Sequence, residues 1–138
     1  MFQQDYLMRL IWQFVEAMRR TVEKDDDPDA KAASVEDAIA NALEMDASVV
    51  LGLAPESFAG ILSVSGTDPH VVEYLVRGMA LESYYLEQAG TQQAAQLRFD
   101  QAFALAAAYG IEAPAAGEIP VMNDFDEMLE VDGITGEE

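Results

Sequence analysis

The chain contains no cysteine and one histidine, His70, and it is poor in bases: seven Lys and Arg stand against 26 Asp and Glu, a net charge of −19. Without thiols there can be no disulfide, no thiolate-bound metal and no cysteine nucleophile. His70 falls near the start of a predicted helix with Asp68 beside it, which is too little company for a general base or a zinc site. The serines lie in no nucleophile-elbow context, and Gly52, Gly60, Gly66 and Gly78 form no phosphate-cradling pattern. An enzyme is not expected, and no cofactor is implied. Nucleic-acid binding draws most of its affinity from Lys and Arg on phosphates, which seven bases cannot supply here. Anionic membrane surfaces are disfavoured for the same reason. No apolar run approaches the ~18 residues of a spanning helix. The opening Met1-Phe2-Gln3-Gln4-Asp5 has no basic n-region, so a cytoplasmic location is expected.

What is present is helical patterning over a length suited to one domain. Tyr6, Leu7, Leu10, Ile11, Phe14, Val15, Met18 and Val22 recur at helical spacing and predict a long amphipathic helix over 4–24. Met8 and Trp12 widen its apolar arc beyond what one neighbour covers. The helix is therefore expected to lie between two neighbours, with a homodimer interface at Met8 and Trp12 as the alternative. Lys24-Asp25-Asp26-Asp27-Pro28-Asp29 ends it. Ser34, with Asp37 three residues on, predicts the cap of a second helix. Val35, Ala38, Ile39, Ala42, Leu43, Val50 and Leu53 should mark its buried side. An unbroken helix would place Asp46 in that stripe, at a high desolvation cost unless it paired with a base such as Arg77. A break near Met45, with Asp46 capping a short segment over Ala47–Leu51, is the reading adopted.

Pro55 opens a third helix to Val64, and Asp68-Pro69 a fourth. Val71, Val72, Leu75, Met79 and Leu86, with some of Tyr74, Tyr84 and Tyr85, should face the core. Gly90 closes the fourth helix, Thr91 is expected to cap the fifth, and Gly110 ends that one near Tyr109. Nothing alternates as a strand before residue 111. The fold class is all-α, with about five main helices.

The turn at Gly90 makes the fourth and fifth helices antiparallel neighbours. Ser83 and Leu86 on one helix, and Ala95, Phe99 and Ala102 on the other, resemble the small, large-apolar and aromatic positions of a tetratricopeptide-type repeat. Met79 stands at the tryptophan-type position, while Glu82 replaces a leucine and Ala107 the closing proline. The segment Met1 to Arg9, opening Met-Phe-Gln-x-Asp-Tyr, also resembles a small bacterial family of helical proteins. Together these resemblances imply a right-handed array of antiparallel hairpins similar to tetratricopeptide repeats, and no particular activity.

Asp25, Asp27, Asp29 and Glu36 occupy positions 1, 3, 5 and 12 of an EF-hand-like loop, the oxygen-rich spacing that calcium takes. Ala30 stands where the loop needs glycine, Pro28 falls inside it, and a solvated connector is the plainer reading. The tail changes character: 113–117 reads as a linker. Val121, Met122, Phe125, Met128, Leu129 and Val131 then stripe an acidic background, with a short helix expected at 123–130. The domain organisation is thus a helical array over 1–110 and an acidic extension over 111–138 that docks on it. The functional expectation is a non-enzymatic adaptor binding protein, with a basic partner compatible with the charge. A calcium-responsive protein and a self-assembling homodimer are the alternatives.

Overall fold

The computed structural model describes residues 2–114 and 122–134, with the side chains of residues 2–4 left aside. Residues 115–121, including the predicted stripe residue Val121, and residues 135–138 lie outside the described residues. The fold is all-α. Among the described residues there are seven helices: α1 Phe2–Glu23, α2 Pro28–Leu43, α3 Ala47–Val50, α4 Pro55–Ser65, α5 Pro69–Gln88, α6 Gln92–Tyr109 and α7 Met122–Asp132.

Local chemistry accounts for most boundaries. Asp68 caps α5 by accepting the His70 backbone N–H at 2.8 Å, ahead of Pro69 in the first turn. Asp46 caps α3 through Ser48 N at 3.0 Å and Ser48 Oγ at 2.7 Å, so the break at this acid is real and Asp46 stays exposed. Helix α5 closes with paired backbone bonds, Thr91 N–H to Leu86 O and Gly90 N–H to Glu87 O, around a Gly90 φ of 89°. Gly66, Gly110 and Gly133 close α4, α6 and α7 in the same way.

Two boundaries differ from expectation. Helix α2 begins at Pro28 rather than after Ser34, with Asp27 extended before it. The proline that stops α1 also pre-sets the first turn of α2, and Ala30 to Ala33 are good helix formers. Ser34 and Asp37 therefore lie inside the helix and cap nothing. Thr91 does not cap α6; its hydroxyl donates back to Leu86 O at 2.8 Å and serves the end of α5.

The order of the helices in space is not their order in the chain. Helix α5 packs most extensively on α6 and then on α2, α2 also carries α1, and α6 carries α4. The layer thus runs α1–α2–α5–α6–α4, with α1 also reaching α5 and α7 lying on α1. Tyr109 Oη reaches Thr67 O at 2.8 Å and Gln101 Nε2 reaches Leu53 O at 2.8 Å, so α4 and α6 run parallel. The core joins Ile11, Phe14, Val15 and Met18 of α1 to Val35 and Ile39 of α2, Phe58 and Leu62 of α4, and Val72, Leu75 and Met79 of α5. The predicted face residues Tyr6 and Val22 are exposed, at 42% and 37%, because they lie at the two ends of α1.

Gly78 sets the α1–α5 approach. A Cβ built there would stand 2.4 Å from the Phe14 ring, which is itself buried. In an ordinary helix interior alanine beats glycine by about 1 kcal/mol. Here we expect Gly78→Ala to cost about 1–3 kcal/mol through overpacking, and to become neutral or stabilising in a Phe14→Leu background. A urea double-mutant cycle measures this. At the end of α2, Glu44 holds φ 58° without being glycine. Glu44→Gly should raise stability by about 1 kcal/mol, seen as a melting temperature a few degrees higher.

Candidate functional site

Polar side chains gather in a buried cluster where α2, α5 and α6 meet and in an acidic groove between α5 and α7.

In the cluster, Arg98 and Gln101 share the α6 face of Ala95, Ala102 and Leu105, and all are buried. Arg98 Nε donates to Glu82 Oε1 at 2.9 Å. Its Nη1 donates to Leu51 O at 3.0 Å and to Gln101 Oε1 at 2.6 Å, and Nη2 reaches Glu36 Oε1 at 3.3 Å. Gln101 Nε2 donates to Leu51 O at 2.9 Å and to Leu53 O. Two side chains of α6 thus hold α2, α5 and the connector from α3 to α4. Glu82 is fully buried, and its Oε2 has no hydrogen-bond partner among the described residues. Burial pushes the Glu82 carboxyl up to about 8, against the pull of Arg98 and with a further push from Glu36. Both side chains are buried, and the direct effect of the Glu82–Arg98 contact is to fix helix positions.

The groove encloses about 440 Å³ and is lined by Glu73 and Arg77 of α5, Glu112 to Pro114, and Asp124, Glu127, Met128, Val131 and Asp132 of α7. Among the described residues, five carboxylates therefore face it against one guanidinium. Helix α7 is seated by Phe125, Leu129 and, just beyond it, Ile134, all buried. Two polar ties add to this: Arg19 Nη2 to Asp126 Oδ1 at 2.6 Å and the buried Tyr74 Oη to Asp132 Oδ2 at 2.7 Å. Burial, and then the bond to Asp132, hold the Tyr74 phenol protonated well above its ordinary range.

The residues nominated from sequence are dispersed. Asp29 and Glu36 lie on α2 while Asp25 and Asp27 precede it, so the EF-hand-like loop is replaced by helix. No group of three or more His, Asp or Glu side chains able to hold a metal forms among the described residues, and Glu36 is engaged by Arg98 instead. Met8 and Trp12 are half-buried against the core, and Trp12 faces Leu129 and Ile134 across a shallow cleft under α7. The broad arc of α1 thus meets α2, α5 and α7. In the α5–α6 hairpin Ser83 Oγ donates to Ala95 O at 2.7 Å, Ala95 and Ala102 are buried, and Leu86 is half-buried beside Gly90. Phe99 does not fill the gap between the alanines. It is half-buried, and Arg98, one residue earlier, points into the layer. The signal missed was compositional: Glu82, Arg98 and Gln101 are opposite or complementary polar groups on the inward faces of one hairpin.

Comparison with protein-family models, curated proteins and solved structures gives no match for this chain. No helix among the described residues is long and apolar enough to cross a membrane.

Arg98→Met would strip the charged donor from Glu82, Leu51 O and Gln101 together. We expect a loss of about 3–5 kcal/mol in urea unfolding, as for breaking a buried ion pair from one side. Adding Glu82→Leu should restore a large part of it, because the buried carboxyl left without its donor then goes too.

Proposed function

We propose that this protein is a non-enzymatic protein-interaction module that takes a basic, partly apolar segment of its partner into the groove between α5 and α7. The observation that carries the reading is the lining: Glu73, Glu112, Asp124, Glu127 and Asp132 surround Met128 and the exposed Val131, with Arg77 as the one base. A net charge of −19 steers a basic segment toward the protein from a distance. The apolar pair supplies what carboxylates alone do not, a surface that gains by losing water. The groove walls are set by α7, which is held at Arg19 and Tyr74, so the site exists without rearrangement.

The tetratricopeptide-like part of the reading rests on the α5–α6 hairpin. Its tight turn, its small buried alanines and the Ser83 to Ala95 bond fit such a unit. The packing of α2 on α5, and of α4 on α6, limits the likeness to that hairpin rather than to a sequential array.

The test uses a fluorescent helical peptide with lysines one turn apart flanking leucines, titrated into wild type and into a Glu73→Lys, Glu127→Lys variant. Binding that weakens with added salt and drops about tenfold or more in the variant supports the proposal. A control with Glu23→Lys and Glu56→Lys, equal in charge and away from the groove, should lose much less. Equal loss in both variants would leave only non-specific attraction and overturn it.

A further inference from the structure

In the Glu36–Glu82–Arg98 cluster one buried acceptor goes unserved among the described residues. Arg98 carries five N–H donors in a fixed fork, and they serve Glu82 Oε1, Leu51 O, Gln101 Oε1 and Glu36 Oε1. Glu82 Oε2 is left buried and unbonded. With both acids ionised, one guanidinium would answer two carboxylates, one of them with no access to water. A carboxylate can only accept, so neither acid could then help the other.

A single proton removes the mismatch. Placed between the two acids it brings the cluster to neutrality, and it gives the unbonded oxygen of Glu82 a hydrogen bond to Glu36. We propose that Glu82 carries a proton that it donates to Glu36, and that loss of this proton frees Glu36 to turn into solvent, unlatching α2 from α6. Glu36 is the acid able to move. Its side chain is 40% exposed and its bond to Arg98, at 3.3 Å, is the longest the guanidinium makes. Glu82 cannot leave, and it keeps Arg98 at 2.9 Å.

The charged groups facing Glu82 are Glu36 from α2 and Arg98 from α6, while the connector at Leu51 and Leu53 contributes carbonyls alone. On α5 itself the adjacent turn carries Tyr85, whose ring lies under Lys31 of α2 at 5.5 Å, a second contact between the same two helices. Burial is the main force raising the Glu82 carboxyl to about 8, and the neighbouring Glu36 adds to it. The folded protein thus holds this proton more tightly than the unfolded chain. The stability it contributes is complete below the ordinary carboxylate range, declines as pH rises toward about 8, and is gone above that value. The latch therefore opens with the loss of the proton held at Glu82.

Infrared difference spectroscopy should find a protonated carboxyl at neutral pH that disappears on titration to alkaline pH and is absent from Glu82→Gln. Amide hydrogen exchange, corrected for its intrinsic base catalysis, reads the latch. Protection of the α2 segment 32–40 should fall several-fold relative to α1 between about pH 6 and about pH 9.5. Glu36→Gln keeps a donor toward Glu82 but cannot titrate there, so it should hold α2 protected across the range. If Glu82→Gln does not fold, Glu36→Gln decides alone, because its site is half-exposed and tolerant. No protonated carboxyl at neutral pH, or an alkaline opening that persists in Glu36→Gln, would overturn the proposal.

Discussion

Arg98 meets Glu82 at 2.9 Å inside a layer of helices, and the positions of four chain segments follow from that contact. An arginine does not enter a protein interior unless its charge is matched and its donors are used. Glu82 matches the charge, and Leu51 O, Gln101 and Glu36 use the donors. Because the guanidinium is planar and rigid, these partners must lie in fixed directions from α6. Apolar burial is non-directional, whereas the fork fixes where α2 and the α3–α4 connector lie.

The connector shows how polar and apolar forces divide the work. Helix α3 is four residues long and could not persist by itself. Its start is capped by Asp46, and the carbonyls past its end are received by Arg98 and Gln101. Held there, the chain can cross from the α2 side of the layer to α4 on the far side of α6. That crossing is why α4 lies beside α6 and not beside α2.

Helix α7 answers a different need. The apolar arc of α1 is wider than α2 and α5 can cover, and Phe125, Leu129 and Ile134 cover the rest. Its other side faces water and carries acids, so docking it creates an acidic groove against α5 as a by-product of burying α1. The proposed latch lies elsewhere, at α2 and α6. Binding at the groove and proton loss in the cluster therefore act on separate contacts.

Much of this was legible along the chain, because helices are decided by neighbours three and four residues apart. The caps at Asp46 and Asp68, the stops at Gly90 and Gly110, and the tail helix all rest on such short-range chemistry. The misreading of Pro28 as a stop alone was of the same kind, since a proline that ends one helix can begin another. The inward side of α6 was not legible in this way. Arg98 and Phe99 lie on either side of the line from Ala95 to Ala102, and polarity favoured the phenylalanine. Only the positions of Glu82, 16 residues earlier, and of Leu51 O, 47 residues earlier, turned the choice to the arginine. Helical periodicity thus determined the fold class and nearly every helix end from the amino-acid order. Which polar side chains could enter the core, and in what order the helices lie, depended on partners brought close only by folding, since a buried charge is stable only where distant groups converge on it.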